Sequence, residues 1–269
     1  MNSKYVTYTA ISPNHSTGRG GANIDTITIH CMAGNLSVET CGRVFAPKTR
    51  QASSNYGIDS NGRVGLYVNE CDRSWCTSNS ANDKRAVTIE VANDTLGPQW
   101  HVSDKAMDML IKLVVDICER NGIKKLKWST DKNERMNHLN GCNMTVHRDY
   151  NEKKSCPGEY LYNNMGDIAN RVNALLNNEP EPVKPVVKYT VPNSTPQLHR
   201  GSKGTSVKNL QHCLNLLDYN LAEDGSFGPD TEKQFKAFQL KYMGREEVDG
   251  WYGPKSRTAL KTALDKKYK

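Results

Sequence analysis

Apolar and polar residues alternate in several short runs across the first 176 residues of the chain, a pattern typical of strands with one buried face. The runs are rich in β-branched residues, which favour strands. They predict strands near residues 24–30, 55–59, 63–68, 86–91 and 144–147. The dipeptide Asn61-Gly62 separates the second run from the third and predicts a hairpin turn between them.

Between these runs, apolar residues recur at intervals of three and four, which predicts amphipathic helices. One helix begins after the cap Ser103 and ends at Gly122, and another runs from the cap Ser37 to about Phe45. A final helix carries its apolar residues within residues 161–175. Strands that alternate with helices predict an α/β domain, with a mixed central sheet flanked by helices.

Proline is concentrated in one segment of the chain. Five of the eleven prolines fall between Pro180 and Pro196, and such a segment is typical of an extended linker rather than a folded element. We therefore predict a first domain of residues 1–176, a linker of residues 177–197 and a small second domain of residues 198–269.

The second domain contains an internal repeat. The hexapeptide DGSFGP at residues 224–229 returns as DGWYGP at residues 249–254, and each copy places a proline in the first turn of a helix. With a further helix upstream, the pattern predicts a three-helix unit. Phe227 is predicted to belong to its core, whereas Trp251 and Tyr252 either belong to the core or stack on a sugar ring.

Three of the predicted strands carry nearly the same tripeptide, at residues 28–30 (TIH), 88–90 (TIE) and 145–147 (TVH). Because side chains alternate across a strand, the middle apolar residue faces one way, and the threonine and the final residue face the other. If these strands share a sheet, two imidazoles and one carboxylate converge on one polar face.

These groups and a nearby cysteine form a set typical of zinc hydrolases. His30 and His147, together with Cys156 nine residues after His147, supply three ligands and leave a fourth position open. Glu90 supplies the carboxylate that usually accompanies such a metal ion. We predict that His30, His147 and Cys156 bind one Zn²⁺ ion and that Glu90 acts as the catalytic base.

The residues alone leave other interpretations open. Either histidine by itself could be a hydrogen-bonded residue at a strand end. His138 and Asp149 are rival ligands, although His138 lies in a polar stretch that predicts exposure to solvent. Cys31, next to His30, is expected to point to the opposite face of its strand, into the core.

Composition narrows the class of protein. The net charge of +7 is spread along the chain, which argues against a nucleic-acid partner and fits weak attraction to an anionic polymer such as a cell wall. No uncharged apolar run approaches the roughly 20 residues of a membrane helix. The N-terminal segment lacks a basic stretch followed by an apolar core, so we expect no signal peptide, no membrane insertion and synthesis in the cytoplasm.

The eight cysteines are expected to be mainly free thiols. Cys118 and Cys213 fall within predicted helices and are interpreted as small core residues. Cys71 and Cys76 are close enough in sequence to pair, and the sequence leaves that pairing open.

Four segments of the first domain together resemble the type-2 N-acetylmuramoyl-L-alanine amidases, zinc amidases related to the peptidoglycan recognition proteins. The segments are TIHCMAG, SSNYGIDSNGRVGLYV followed by DRSW, AVTIEVAND and VHRDYNEKKSCPGEYL. The resemblance covers about residues 26–176. This chain has Cys76 where many relatives have a histidine after the tryptophan.

The resemblance implies the same three Zn²⁺ ligands, His30, His147 and Cys156. It also implies that three further side chains surround the reacting amide, namely Tyr56, Glu90 and Lys154. The second domain resembles the peptidoglycan-binding domain type 1, through the spaced residues of 201–211, its D-G-x-F-G-P loop and the pair Phe235 and Phe238. That likeness implies attachment to the bacterial cell wall, with Trp251 and Tyr252 as candidate contacts.

Together the resemblances imply a zinc-dependent enzyme that hydrolyses the amide joining the lactyl group of N-acetylmuramic acid to L-alanine in bacterial peptidoglycan. With no signal peptide expected, the favoured role is that of a phage or prophage endolysin, which acts on the wall after a holin opens the membrane. The alternatives are a bacterial autolysin or a sporulation cell-wall hydrolase. Outside the enzymes, they are a recognition protein that binds peptidoglycan without cutting it and a nucleic-acid-binding zinc protein.

Overall fold

The computed structural model of the protein describes residues 1–97, 100–180 and 189–268. The chain divides into two compact units, residues 1–182 and residues 183–269. Each unit has its own hydrophobic core. Part of the predicted linker, residues 181–188, lies outside the described residues.

Within the described residues, the first unit contains eight strands and six α-helices. The strands are β1 (Val6–Thr9), β2 (His15–Ser16), β3 (Thr26–Cys31), β4 (Tyr56–Ile58), β5 (Val64–Leu66), β6 (Arg73–Ser74), β7 (Ala86–Val91) and β8 (Met144–Val146). The helices are α1 (Val38–Phe45), α2 (Ser80–Arg85), α3 (Asp104–Asn121), α4 (Lys132–Met136), α5 (His147–Tyr150) and α6 (Gly158–Leu176). All five predicted strands and the three predicted helices are present, and Ser37 and Ser103 cap α1 and α3 as predicted.

Six of the strands form one mixed sheet in the order β1-β5-β4-β7-β3-β8. β4 and β5 are antiparallel and form the predicted hairpin, in which Gly62 has the positive φ (80°) that such a turn favours. The neighbours β4, β7, β3 and β8 are all parallel. Their carboxyl ends therefore meet at one edge, where ligands bind in open α/β sheets.

Some elements lack a signal in the sequence pattern because they are short and depend on distant partners. β1 is a parallel edge strand beside β5, and β2 pairs with β6 in a separate two-stranded ribbon. His147 also differs from its prediction at the end of a strand, because it begins α5 directly after β8.

The core of the first unit lies between the apolar face of the sheet and the helices α3 and α6. The middle residues of the three tripeptides, Ile29, Ile89 and Val146, are completely buried in it. Cys118 of α3 is also completely buried, as predicted. Each large apolar side chain buried in this way contributes about 1.5–3 kcal/mol relative to an exposed one, which fixes the face that each strand turns to the core.

The second unit has three α-helices among its described residues, α7 (Thr205–Leu216), α8 (Pro229–Tyr242) and α9 (Pro254–Tyr268). The two copies of the repeat form the loops before α8 and α9, as predicted. A buried glutamine holds each loop: the Gly225 N–H donates to Gln211 Oε1 at 2.8 Å, and the Gly250 N–H donates to Gln239 Oε1 at 2.9 Å. In both loops the glutamine amide also donates to the aspartate that opens the repeat.

Residues 189–197, which the sequence assigns to the linker, pack against the second unit. Tyr189 Oη donates to Asp265 Oδ1 at 2.6 Å, and Tyr252 Oη donates to the Pro192 carbonyl at 2.7 Å. The folded tail therefore begins before residue 198. Across the described parts of the chain, no helix is both long and apolar enough to cross a membrane.

Candidate metal centre

The three similar tripeptides lie side by side at the carboxyl ends of β7, β3 and β8. Thr28 pairs with both Thr88 and Thr145, and His30 pairs with Glu90. Equivalent residues of the three strands therefore lie at one level of the sheet, and the final residue of each tripeptide reaches the same polar edge. This is the convergence that the alternation predicts.

A layer of buried hydroxyl groups lies under this edge. The Oγ1 atoms of Thr28 and Thr145 are 2.7 Å apart, and the Asn82 side chain of α2 hydrogen-bonds to both at 3.1 Å. The Oγ1 atom of Thr88 lies 2.8 Å from Ser74 Oγ. The hydrogen bonds between these buried groups offset the cost of removing them from water, and they link the strand ends.

The structure brings the three predicted ligands, His30, His147 and Cys156, together. Their ligand atoms all lie within 4.8 Å of one another, and the two imidazole centroids are 5.1 Å apart. Cys156 Sγ lies 3.4 Å from His30 Nδ1. Ligands held at 2.0–2.3 Å around a tetrahedral zinc ion are themselves about 3.5 Å apart, so this spacing fits one ion.

The protonation of these groups also fits a metal ion. Burial lowers the pKa of His30 well below its usual value, and burial, with the Lys154 charge, lowers the pKa of His147 to about 4. Both rings are therefore neutral at pH 7, which is the form that binds a metal ion. Burial raises the pKa of the Cys156 thiol, so a thiolate here needs a compensating cation. Two nitrogens and one sulfur form a donor set typical of zinc.

The hydrogen bonding of His30, His147 and Cys156 also fits a metal ion. The backbone N–H of Cys31 donates to Cys156 Sγ at 3.4 Å, a contact that favours the thiolate. Nε2 of His30 and Nε2 of His147 are buried without a hydrogen-bond partner among the described residues. Buried polar atoms normally have partners, and the His147 nitrogen fits coordination to a metal ion at this set.

Neither rival ligand belongs to this set. Asp149 accepts two hydrogen bonds from the Arg135 guanidinium. His138 is half-buried rather than exposed as predicted, and its Nδ1 lies 3.3 Å from the carbonyl oxygen of Cys142. Both side chains are thus engaged elsewhere.

Glu90 and Lys154 line the cavity that opens onto the ligand set. Burial raises the pKa of the Glu90 carboxyl well above its usual value, although the Arg50 charge opposes this. Glu90 Oε2 has no hydrogen-bond partner in the described part of the chain. Lys154 is exposed, and its positive charge contributes to the lowered pKa of His147. A carboxylate can transfer a proton, and an ammonium group can stabilise developing negative charge.

The cavity has a volume of about 300 Å³ and combines an apolar wall with a cationic rim. Sequence reasoning missed most of its lining: the apolar residues Met32, Leu36, Val44, Phe45 and Trp100, and the cations Arg50 and Lys153. The residues from loops carry no periodic signal that could have identified them. Those from α1 belong to a helix whose orientation toward the site depends on tertiary packing.

Tyr56 does not reach the site, contrary to the prediction. Gly57, not Tyr56, pairs with Glu90, so the tyrosine side chain turns to the apolar face of the sheet. There its hydroxyl donates to Glu70 Oε1 at 2.5 Å and accepts from the Ser3 N–H at 2.9 Å. A role for this hydroxyl beside the reacting amide is therefore wrong.

Two further cysteines lie near the site. Cys31 packs partly against the core, as expected, but it is only half-buried and also lines the cavity. Cys76 lies beside His30 and Glu90. It is a free thiol, as is the exposed Cys71, so these two cysteines are not paired in the structure.

In the second unit, the two candidate wall contacts differ in exposure. Trp251 is 46% exposed and stacks on the His199 ring, with centroids 4.2 Å apart. Tyr252 is completely buried, so its prediction as a surface contact is wrong. Phe227 and Cys213 are buried, as predicted. Sequence reasoning did not identify His199, which only the fold places beside the tryptophan.

Known proteins were compared with this chain. The profile of the N-acetylmuramoyl-L-alanine amidase family matches residues 20–159, and a peptidoglycan binding domain profile matches residues 203–260. A curated relative, the N-acetylmuramoyl-L-alanine amidase CwlL of Bacillus licheniformis, is 26% identical over 250 residues, a match that covers 85% of this chain. The chain spans 61% of the length of that relative.

Solved structures similar to this chain include that of a selenomethionine derivative of AmpD. It has a TM-score of 0.46 and 16% identity, and the match covers 63% of this chain and 99% of that one. The amidase LysC from Clostridium intestinale URNW has a TM-score of 0.41 and 17% identity, with 64% and 95% of the two chains covered. Since the family profile matches more than half of its residues, this chain belongs to the N-acetylmuramoyl-L-alanine amidase family.

Proposed function

We propose that this protein is a zinc-dependent N-acetylmuramoyl-L-alanine amidase, which hydrolyses the amide joining the lactyl group of N-acetylmuramic acid to L-alanine in bacterial peptidoglycan. The observation that carries the proposal is the meeting of His30, His147 and Cys156 with Glu90 at one edge of the sheet. The donors suit zinc, the carboxylate suits a general base, and the cavity gives a substrate access to both. Family membership supports the same activity.

The side chains of the cavity have distinct tasks in this reaction. A zinc ion held by the three ligands would supply Lewis-acid chemistry, polarising the amide carbonyl and acidifying water. Glu90 accepts a proton from the attacking water, because its raised pKa makes it a stronger base than an exposed glutamate. It then passes that proton to the leaving nitrogen of L-alanine. Lys154 donates to the oxygen that gains negative charge, an effect worth about 3 kcal/mol per donor.

The second unit would attach the enzyme to its insoluble substrate. Its match to the peptidoglycan binding domain family supports this role. The exposed face of Trp251, backed by the His199 ring, offers a flat aromatic surface on which a sugar ring can stack. Tethering raises the local concentration of the catalytic unit on the polymer, so attachment should matter most on intact walls.

In the cell, we assign the protein the role of an endolysin that accumulates inside the producing cell and reaches the wall through a holin pore. An autolysin or a sporulation hydrolase would share the chemistry but not this dependence. Expression inside a bacterium should therefore leave turbidity unchanged until the membrane is opened, by a co-expressed holin or by chloroform. Lysis at the same rate without either treatment would contradict the endolysin role while leaving the amidase activity untouched.

Digestion of purified walls tests the activity itself. Mass spectrometry of the fragments should show new peptides with a free L-alanine amino terminus and glycan strands with free lactyl carboxylates. Glycan cleavage or peptide cross-bridge cleavage in place of these products would contradict the proposal. The Glu90→Gln variant, purified in the same way, controls for a contaminating hydrolase.

A further inference from the structure

A second group of side chains of the kind that bind metal ions shares one residue with the first group. The ligand atoms of His30, Glu90 and Cys76 all lie within 4.8 Å of one another. This group shares only His30 with the set formed by His147 and Cys156. It combines a thiol, an imidazole and a carboxylate, which together suit a thiophilic divalent cation.

The shared histidine can face both groups. His30 Nδ1 lies 3.4 Å from Cys156 Sγ and therefore belongs to the first set. Nε2 is the second ring nitrogen, which is buried and has no hydrogen-bond partner among the described residues. The His30 side chain is only 1% exposed, so water from bulk solvent does not satisfy this nitrogen.

The carboxylate of the second group is also unsatisfied. Glu90 Oε2 is buried and has no partner in the described parts of the chain. An unpaired buried carboxylate oxygen is costly, and a cation would remove that cost. Glu90 also lines the cavity, which gives an ion a path from solvent to the group.

Cys76 is held in place by its own loop. Its backbone N–H donates to Asp83 Oδ2 at 3.1 Å, and the neighbouring Thr77 Oγ1 donates to Asp83 Oδ1 at 2.7 Å. Burial raises the pKa of the Cys76 thiol well above its usual value, so a thiolate there needs a compensating cation. The hydrogen bonds to Asp83 hold the segment that carries Cys76 in place.

We propose that Cys76, Glu90 and His30 form a second site, which binds a thiophilic divalent cation such as Zn²⁺ or Cd²⁺ and inhibits the enzyme. Binding releases the Cys76 thiol proton and the His30 Nε2 proton to solvent, and no electron is transferred. An ion coordinated by Glu90 prevents that carboxylate from accepting a proton from water. The inhibition rests on the proposed amidase activity, whereas the binding does not.

Cadmium titration of the metal-free full chain tests the binding, with the thiolate-to-cadmium charge-transfer absorption as the signal. The wild type should bind two equivalents, and both should add to the absorption. Cys76→Ser should bind one. Cys71→Ser, which removes an exposed thiol from the same segment, should still bind two. Glu90→Gln should keep the first equivalent and lose the second. Because it removes a different ligand of the same site, it tests the site even if Cys76→Ser does not fold.

A single equivalent in the wild type, or two in Cys76→Ser, would overturn the proposal. So would loss of the second equivalent in Cys71→Ser, because the ion would then lie at that thiol. Rate measurements on purified walls test the inhibitory role. Excess Zn²⁺ should slow the wild type by about a hundredfold, because the general base is disabled. It should not slow Cys76→Ser. Equal slowing of both would exclude inhibition through this site. A chain without amidase activity would still give the cadmium result.

Discussion

Arg135 and Asp149 form a buried ion pair near His147, one of the three candidate metal ligands. Arg135 Nε donates to Asp149 Oδ2 at 2.8 Å and Nη2 donates to Oδ1 at 2.5 Å. The two side chains are 2% and 1% exposed. Asp149 also accepts from the Val146 N–H at 3.4 Å, so the pair ties together the backbone on both sides of His147.

Replacing Arg135 with alanine should lower the free energy of unfolding by about 3–5 kcal/mol, because it leaves the Asp149 carboxylate buried without its partner. Urea denaturation measures the change. Lys132→Ala is the matched control, since it breaks an exposed pair with Glu152 and should cost at most about 1 kcal/mol. Similar losses of unfolding free energy in the two variants would show that the buried pair contributes no more to stability than the exposed one.

The protein as purified should contain about one zinc ion per chain, because the three-donor set of His30, His147 and Cys156 holds one ion. Elemental analysis measures this, and removal of the ion with a strong chelator should abolish wall hydrolysis. His147→Ala should lose the zinc, whereas His138→Ala should keep it. Full activity in zinc-free protein would rule out a metalloenzyme.

Glu90→Gln should keep the fold and the zinc but lose turnover by about 10²–10⁴, because the amide preserves the shape of the side chain and cannot accept the proton. Steady-state rates on soluble wall fragments, together with zinc analysis of the same sample, separate the two effects. Wild-type rates in a zinc-loaded sample would assign the base to another group.

Tyr56→Phe should lower stability by about 1–3 kcal/mol, because it leaves the buried Glu70 without its hydroxyl donor. Turnover at a temperature where the variant is folded should not change. Lys154→Met should behave in the opposite way, with nearly unchanged stability and reduced turnover. A large loss of turnover in folded Tyr56→Phe would show that the tyrosine hydroxyl takes part in the reaction.

Truncation after about residue 178 should leave a folded amidase that is nearly fully active on soluble muropeptides but much slower on whole sacculi, because the tether is lost. The isolated tail should sediment with sacculi, and Trp251→Ala should weaken that binding. Leu240→Ala, which removes another exposed apolar side chain, is the control. A folded tail that stays in the supernatant would contradict wall attachment.

The sequence predicts that His30, His147 and Cys156 come together because each lies in or beside an element with a clear local signal. His30, Glu90 and the residues before His147 alternate with core residues, and alternation fixes which face of the sheet they occupy. It does not fix the register between strands that are distant in sequence. Tyr56 was assigned to the site by resemblance alone, whereas Gly57 is the residue of its strand that pairs with Glu90, so the tyrosine faces the core.

Most of the remaining cavity residues could not be predicted because they lie in segments without a periodic pattern. Arg50 and Trp100 line the cavity from segments without periodicity. The pairing of Arg135 with Asp149 depends on how a short helix folds back on β8, a tertiary contact with no local signature. The burial of Tyr252 likewise follows from residues 189–197, whose packing on the tail runs against their linker-like composition.

In the second unit, the glutamines that hold the two repeat loops in place do not bond to the side chain at the third position of either loop. Gln211 and Gln239 bind the backbone and the leading aspartate of their loops in the same way, although the third loop residue is Ser226 in one copy and Trp251 in the other. That third position makes no contribution to the glutamine bonds through its side chain. The two loops therefore have the same hydrogen-bonded framework. The third residue of either loop can be replaced, and the exposed surface changed, while these hydrogen bonds stay the same.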